Sequence, residues 1–581
     1  MPPAGTRPFS SSCRSTINAG GTAIEPQLKL GTAALAPAPR NLTAGVFASA
    51  LLTLLLLFPA AGTAQAPNAA GDSAAKPARE RRDECTVITV GKKASNDGSV
   101  MTSHTCDSHR TRSEFNIVPA MKHKKGSMRE TLMRVDCDTT PMPSYAHPKN
   151  GEIPQVEYTF GYINTAYPCM NDQQLGIGES TFGGRESLKS DAGLIDCEML
   201  VTLVAERCKT AREAVKTAGE LCETYGWIDE GECLTFCDPN EAWVFEVVGP
   251  GKGRKGAIWA AQRVPDDHIS VNANASRIRY VDLGNPDYYM AAKSLTQTAQ
   301  DSGWWSPADG PFQFCYAYDP DGRRSFAAIR REWRIFDLCA PSLKLNPNSN
   351  DFPFSVKPDT LVGVDKMIRC FQDYYEGTEF NFVKDITWVN DKGVTEISPL
   401  ANPFMPYDMN KIFKINGGWG WRGERTIARW YTMYATITVS RGWLPNEVGG
   451  LVWMAMDNVA TSIYVPLYCS VTDVSHFYKT PGRETGYTHE SAWWAFNRLG
   501  TLTAQRWGDM RHDVTAVWRP WQKELLANQA KVDEEALRLL KKDPKKAREY
   551  LTKYGITWGD RVTERAWKLG DELWTKYDEK F

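Results

Sequence analysis

The feature that most constrains this chain is an abrupt change in composition at Cys85. Residues 67–84 are polar and show no apolar periodicity, whereas two β-rich runs, CTVITV and VMTSHT, follow directly. The segment between the two runs, residues 91–99, is rich in turn-forming residues and has Asp97-Gly98 at its tip. Two β-rich runs joined by such a turn predict a β-hairpin. We therefore expect the folded part of the chain to begin with a hairpin whose first residue is Cys85.

The first 66 residues have the order of a secretion signal. Basic residues precede an apolar run from Ala44 to Phe58, and a small-x-small sequence, Ala64-Gln65-Ala66, follows it. This order is typical of a signal peptide, and the apolar run is shorter than the ~20 residues that cross a bilayer. We expect residues 1–66 to be a leader and the mature protein to be exported to the periplasm or the extracellular space. An uncleaved membrane anchor is the alternative interpretation.

The organisation after the leader predicts a layered α+β protein. Residues 67–84 are expected to be a short propeptide or linker, residues 85–520 the main folded domain, and residues 521–581 a helical C-terminal extension packed on it. The segment 194–225 has helical spacing with a break near Cys208, and strand-like runs alternate with helical ones elsewhere. Strands and helices mixed in this way favour layers of both kinds.

Composition and motifs exclude several other classes of protein. The 581-residue chain has a net charge of −1, which argues against nucleic-acid binding. The literal GxGxxG at Gly251 to Gly256 precedes a strand-like run, whereas a dinucleotide site needs a helix there. HExxH and GxSxG motifs are absent from the sequence, and the twelve cysteines other than Cys13 and Cys85 lack zinc-site spacing. We expect neither a metal nor a cofactor, and disulfide connectivity cannot be read from the sequence.

A cysteine that becomes the first residue of a mature chain can use its own α-amine as a base, which an internal cysteine cannot. Once the preceding peptide bond is cut, the α-amine of Cys85 lies beside its own thiol. That amine has an ordinary pKa of about 7.7–8.0, so part of it is neutral near physiological pH and takes up the thiol proton. A base in this position activates a thiol nucleophile. Position alone leaves an ordinary strand cysteine as the alternative.

A series of motifs follows Cys85 in a fixed order. The opening CTVITVGKKASNDGSVMTSHTCD is followed by motifs that begin at several later positions: NDQQLGIGES at Asn171, TAREA at Thr210, EAWVFE at Glu241, WAAQRVPDD at Trp259, VNANASRI at Val271, WLP at Trp443 and the segment from Trp493 to Asn497. Taken together, they resemble the N-terminal-nucleophile cysteine dipeptidases, the family of bacterial dipeptidase A and the secernins. The resemblance covers essentially residues 85–580.

The resemblance implies a fold and a set of site residues. The fold is a four-layer αββα sandwich of the Ntn-hydrolase type, here with helical and loop insertions and a helical C-terminal region. Cys85 is implied to be the nucleophile and, through its α-amine, the base. By position, Asp107 holds the α-amine, Asn171 contacts the oxyanion or the substrate, and Asn274 donates to the oxyanion, a task that suits an amide because it does not titrate. Asn272 lies only two residues from Asn274, so the sequence leaves open which of the two donates to the oxyanion.

Other interpretations of these residues remain. Asp107 is alternatively a solvated loop carboxylate, and each asparagine is alternatively a turn residue. Related amidases carry an arginine three residues before the aspartate, whereas this chain has His104 there. A histidine lowers the pKa of a neighbouring thiol only when it is protonated, so the electrostatics on the substrate side are in doubt.

The resemblance implies a dipeptidase that hydrolyses short peptides through an acyl-enzyme. An amidase or acylase of bile-salt or penicillin V type is the alternative enzyme. The non-enzyme alternative is a secreted, aromatic-rich binding protein with a relict site, since the chain has 20 tryptophans. Dipeptides or short peptides are the expected partners, with no nucleic acid and no membrane after leader removal. The sequence leaves homo-oligomerisation open.

Overall fold

The computed structural model describes residues 83–404 and 425–580. The expected leader, and the linker apart from its last two residues, lie outside the described part of the chain. Within the described ranges, no helix combines the length and the apolar composition that a bilayer span requires.

The strands form two large sheets and four small hairpins. In chain order they are β1 (Asp83–Val90), β2 (Val100–Ser108), β3 (Asn116–Val118), β4 (Met121–Lys122), β5 (Met128–Leu132), β6 (Val135–Cys137), β7 (Ser144–Ala146), β8 (Lys149–Pro154), β9 (Tyr158–Thr159), β10 (Tyr162–Asn164), β11 (Met170–Asn171), β12 (Gly176–Gly183), β13 (Gly231–Cys237), β14 (Ala242–Val248), β15 (Ile258–Val264), β16 (Ile269–Asn272), β17 (Tyr289–Ala291), β18 (Ser355–Val356), β19 (Thr387–Val389), β20 (Thr395–Ile397), β21 (Thr432–Ser440), β22 (Gly450–Met456) and β23 (Val465–Tyr468).

Both large sheets are antiparallel. The first sheet has seven strands in the order β18-β16-β1-β2-β21-β22-β23. The second has eight strands in the order β17-β15-β14-β13-β12-β11-β10-β3. The four small hairpins are β4-β9, β5-β8, β6-β7 and β19-β20. Strands β1 and β2 are therefore central in the first sheet, and β12 and β13 are central in the second.

The hairpin predicted at the start of the fold is present. Strands β1 and β2 pair antiparallel, with Cys85 opposite Cys106 and Val90 opposite Met101. Strand β1 begins at Asp83, two residues before the predicted start. Every residue of β2 is buried, as expected for a strand covered on both faces.

Helices pack against both large sheets. They are α1 (Cys197–Arg207), α2 (Ala211–Tyr225), α3 (Gln297–Asp301), α4 (Phe314–Tyr318), α5 (Phe326–Cys339), α6 (Val364–Phe371), α7 (Asn446–Gly449), α8 (His476–Lys479), α9 (Ala492–Gln505), α10 (Trp507–Leu540) and α11 (Pro544–Tyr577). Helix α2 contacts β13, β14 and β15 of the second sheet. Helices α5, α9 and α11 contact β16, β22 and β23 of the first sheet.

Two sequence expectations about helices can be compared with this arrangement. The break near Cys208 is confirmed, because α1 ends at Arg207 and the side chain of Thr210 caps α2 by accepting a hydrogen bond from the Glu213 backbone. The helical C-terminal region is also present. Its expected boundary between residues 520 and 521 lies inside α10, so no break in the structure marks that position.

The two sheets pack face to face where β12 crosses β1, β2 and β21. Glycines on β12 allow this approach. A Cβ atom at Gly178 would collide with the backbone oxygen of Ser103 on β2 and would lie 2.6 Å from Thr235 Oγ1. A Cβ atom at Gly176 would lie 2.5 Å from Thr438 Oγ1 on β21. Side chains larger than a hydrogen atom at these positions would push the sheets apart.

We therefore predict that Gly178→Ala destabilises the protein. The added methyl group meets backbone that cannot move independently, and overpacking of this kind costs about 1–3 kcal/mol. The free energy of unfolding, measured by urea denaturation, checks this expectation. The matched control is Gly284→Ala at an exposed position, which should stay within about 0.5 kcal/mol of the wild type. Equal stability of the two variants would contradict the proposed tight contact between the sheets.

Candidate active site

The thiol of Cys85 lies where three central strands meet. Cys85 is on β1, His104 on β2 and Glu179 on β12, and all three side chains are buried. Cys85 Sγ lies 3.0 Å from Glu179 Oε2 and 3.4 Å from His104 Nε2. His104 Nε2 lies 3.0 Å from the same Glu179 oxygen, a contact that is an ion pair when the imidazole is protonated. The two sheets thus contribute one acid and one imidazole to a single thiol.

The carboxylate of Glu179 is held in its charged form. Burial alone would raise its pKa, but the hydrogen bond and charge of His104 lower that pKa to about 2. The neighbouring Glu232 behaves in the opposite way, because burial and the charge of Glu179 raise its pKa well above the ordinary value. Thr181 Oγ1 bonds to both acids, at 2.9 Å and 3.0 Å. The pKa values of the two neighbouring carboxyl groups are thus shifted in opposite directions.

The same surroundings keep the Cys85 thiol protonated in the uncut chain. Burial, followed by the negative charge of Glu179, raises the pKa of this thiol well above its usual value. A thiolate is the nucleophilic form of cysteine. In the chain that still carries Glu84, Cys85 is therefore positioned but not activated.

Asn274 and Arg331 fix the backbone of Cys85. The Cys85 amide donates to Asn274 Oδ1 at 3.1 Å, and Arg331 Nη1 donates to the Cys85 carbonyl at 2.7 Å. Arg331 Nη2 also donates to Asn274 Oδ1 at 2.8 Å. Asn274 has a φ of 59°, a left-handed conformation that asparagine adopts more readily than most residues. The backbone nitrogen beside the thiol is thus held by an amide oxygen.

The side chain of Asn274 also contacts the second sheet. Its Nδ2 atom donates to the Thr181 carbonyl at 2.7 Å, so the amide is engaged within the protein. Asn272 lies opposite Val87 in the sheet and is buried, with no hydrogen-bond partner for either amide atom among the described residues. Of the two asparagines, Asn274 is the one that contacts Cys85. Its contact in the uncut chain is with the nitrogen of Cys85, and donation to an oxyanion stays a prediction.

Asp107 lies beside the predicted site but bonds to other groups. On β2 it is opposite Glu84, and it is almost completely buried, so it is not a solvated loop carboxylate. Its carboxylate accepts from Arg425 Nη2 at 2.5 Å and from Thr432 Oγ1 at 2.6 Å. In the uncut chain the contact of the Cys85 nitrogen is with Asn274, and Asp107 is part of an adjacent charged group.

That adjacent group includes the last residue before Cys85. Glu84 Oε2 accepts from Arg425 Nη1 at 2.5 Å and from the Tyr431 hydroxyl at 2.7 Å. Burial alone would raise the pKa of Glu84, but the charges of Arg425, Arg429 and Arg331 hold it well below the ordinary range. The carboxylate next to the Cys85 peptide bond is therefore ionised and firmly bound.

Asn171 is placed elsewhere. Its Nδ2 atom donates to the carbonyls of Ala205 and Cys208 at 2.9 Å and 2.8 Å. Carbonyls at a helix C-terminus lack partners within the helix, so Asn171 satisfies the end of α1. These bonds occupy both amide hydrogens. The structure does not bring the Asn171 amide to Cys85, and its contact with an oxyanion or substrate stays a prediction.

Sequence reasoning did not assign roles to Glu179, Arg331, Arg425 or Glu84. Glu179 lies inside the quoted segment NDQQLGIGES, so the signal was present but pointed to Asn171. Arg331 is in α5, and its partner Cys85 is 246 residues away, with no motif to connect them. Only the packing of α5 against the first sheet shows this contact.

The donor atoms of Cys85, His104 and Glu179 also have the spacing of a metal site. They lie within 4.8 Å of one another, and thiolate, imidazole and carboxylate are all zinc ligands. A metal-dependent reaction is therefore a chemical alternative that an experiment with a chelator can separate from a thiol mechanism.

A cavity of about 770 Å³ opens at Thr181, and its lining does not include Cys85, His104 or Glu179. Thr181 forms part of its wall and connects it to Glu179 and Asn274. Acidic side chains predominate among the charged residues of the lining, and they include Asp196, Asp229, Asp319 and Asp321. A small molecule with a positive charge suits this lining.

Comparison with known proteins agrees with the geometry. Residues 84–520 match the model of peptidase family C69. The chain is 25% identical to a probable dipeptidase of Salmonella dublin over 66% of this chain and 80% of that protein. It is 24% identical to a probable dipeptidase of Latilactobacillus sakei, over 73% and 82%. It is 23% identical to dipeptidase A of Lactobacillus helveticus, over 75% and 84%. The family resemblance of the motifs is thus confirmed, and the chain belongs to peptidase family C69.

Proposed function

We propose that the protein is a dipeptidase that hydrolyses short peptides through an acyl-enzyme on Cys85, after the residues before Cys85 have been removed. The observation that carries this proposal is the contact of the Cys85 nitrogen with Asn274 Oδ1 beside a buried thiol. Cleavage converts that nitrogen from an amide into an amine. The names of the relatives support dipeptides as substrates.

The first step is activation of the thiol. The neutral α-amine of Cys85 takes the thiol proton and becomes an ammonium group. Sγ then attacks the substrate carbonyl carbon, a C–S bond forms, and the carbonyl oxygen gains the charge. When the C–N bond breaks, the leaving amine receives the proton from the ammonium group. The amine then takes a proton from water, and the resulting hydroxide attacks the thioester carbon. The C–S bond breaks, the acid product leaves, and the ammonium group returns its proton to the thiolate.

The neighbouring charges support this sequence. His104, when protonated, stabilises the thiolate from 3.4 Å, and Glu179 orients His104 through their 3.0 Å contact. Asp107 is close enough for its charge to raise the pKa of the Cys85 thiol. We propose that the same negative charge stabilises the α-ammonium group. The acidic cavity beside Thr181 offers a place for the free α-ammonium of a dipeptide.

The proposal extends to the architecture and the location of the protein. We propose that the two sheets with their outer helices are the four-layer αββα sandwich of an Ntn hydrolase. Residues 1–66 would direct export, and residues 67–84 would be removed as a propeptide. The face-to-face sheets and the helix contacts on each of them support the assignment of the sandwich.

Removal of Glu84 should switch the reactivity of Cys85. In the uncut chain, iodoacetamide at pH 8 should leave Cys85 unmodified, because the thiol is buried and its pKa is raised. In the cut chain, Cys85 should be modified and activity lost. Cys137 is an internal control: it is partly exposed, hydrogen bonds with Thr139 lower the pKa of its thiol, and it should react in both forms. Peptide mapping by mass spectrometry gives the result, and an active chain that retains Glu84 would refute the proposal.

The nucleophile itself is tested by substitution. Cys85→Ala in the cut chain should lower kcat for dipeptides by several orders of magnitude and leave the fold intact. Cys137→Ala, which removes a thiol far from the site in sequence, should retain wild-type turnover. EDTA should leave the activity of the cut wild-type chain and of Cys137→Ala unchanged. Loss of activity with EDTA and its recovery with zinc would instead assign Cys85, His104 and Glu179 to a metal site.

A further inference from the structure

The carboxylate of Glu84 occupies a built anion site. It bonds to Arg425 at 2.5 Å and to the Tyr431 hydroxyl at 2.7 Å, and Arg429 Nη2 lies 4.0 Å away. The side chains of Arg425 and Arg429 are only 3% and 1% exposed. We propose that these three residues form a carboxylate-binding subsite, occupied by Glu84 before cleavage and by a carboxylate of the substrate afterwards. This inference rests on the proposed function, because it requires that Glu84 leaves.

Charge balance gives the first reason. While Glu84 is present, Arg425 is shared between two carboxylates, with Nη1 on Glu84 and Nη2 on Asp107. Removal of Glu84 leaves Arg425 its bond to Asp107 but takes away the carboxylate on Nη1. A buried guanidinium group that loses one of its charged hydrogen-bond partners is less stable in its site. The vacated position therefore favours an incoming anion over water or a neutral group.

Position gives the second reason. Glu84 is bonded directly to Cys85, so the site that its carboxylate occupies lies within the reach of one residue from the nucleophile. The Tyr431 hydroxyl also accepts from Arg429 Nη2 at 2.5 Å, which orients its hydrogen toward Glu84. Arginine and an oriented hydroxyl are suited to a carboxylate because their hydrogen bonds to it are charge-assisted.

A dipeptide offers this carboxylate from two sources. One is the acidic side chain of its N-terminal residue, and the other is its C-terminal carboxylate. Both have the chemistry that Glu84 now presents, and the subsite would give either group an advantage over its amide. Experiments with matched acid and amide ligands distinguish the two sources.

Binding can be measured without turnover. The ligands are N-acetylglutamic acid α-amide against N-acetylglutamine α-amide for the side-chain source, and N-acetylalanine against its amide for the C-terminal source. They are titrated by calorimetry into the chain that begins at residue 85. In at least one pair, the acid should bind about tenfold or more tightly than the amide, as expected for hydrogen bonds to a charged group.

The variant Tyr431→Phe tests the assignment to this subsite. It removes one hydroxyl and keeps the ring, so the preferred acid should lose about tenfold in affinity while its amide is unaffected. The control is Tyr318→Phe, which removes a buried hydroxyl that donates to the Leu295 carbonyl at 2.7 Å, and it should leave both affinities unchanged. Acids and amides that bind equally, or a preference that Tyr431→Phe does not alter, would overturn the proposal.

Kinetics separate a failure of this inference from a failure of the proposed function. If only the subsite is wrong, the mature enzyme still hydrolyses Glu-Ala, Gln-Ala and Ala-Ala. In that case kcat/KM is the same for Glu-Ala and Gln-Ala, and it is the same for Ala-Ala and its amide. If the proposed function is wrong, none of these substrates is hydrolysed, while the calorimetric preference still decides whether the cluster binds a carboxylate.

Discussion

The close packing of β12 against β1 and β2 is the contact on which the rest of the site depends. Gly178 allows the two sheets to approach, and the next residue, Glu179, reaches the Cys85 thiol at 3.0 Å. The two residues are neighbours on β12: the missing side chain at Gly178 permits the close approach, and Glu179 reaches Cys85 and His104 on the first sheet. The spacing of the sheets and the position of the carboxylate are therefore set by neighbouring residues of one strand.

The number of buried charges around Cys85 indicates a site and not a device for stability. Glu179 with His104, and Glu84 and Asp107 with Arg425, are all largely withdrawn from water. Buried ion pairs contribute little net stability, since desolvation offsets most of the Coulombic attraction. Their value here lies in the control of protonation: Glu179 stays ionised, and the thiol stays protonated until a base is available.

Local patterns predicted the elements of this fold better than the contacts between them. The hairpin at Cys85 and the break near Cys208 both follow from residues that are neighbours in sequence. The turn at Gly251 to Gly256 leads into β15, as expected for a hairpin and not for a dinucleotide site. Motif positions also identified Asp107 and Asn274 as residues near Cys85.

The direction of each side chain was beyond the sequence. Asn171 and Glu179 belong to the same motif, yet the amide of Asn171 faces the end of α1 while Glu179 faces the thiol. Arg331 and Arg425 are separated from their partners by hundreds of residues, and single arginines carry no periodic signal. The charged side chains around the nucleophile are brought together by this long-range packing. Their contacts cannot be predicted from composition or from the spacing of residues.

The most direct test of the account is to trap the intermediate. The chain that begins at Cys85 is mixed with a dipeptide, quenched in acid within one turnover and digested for mass spectrometry. The expected result is a peptide with residue 85 at its N-terminus whose mass is increased by the acyl residue of the substrate. Rapid turnover without any adduct on Cys85, or an adduct on another residue, would contradict a thioester on this cysteine.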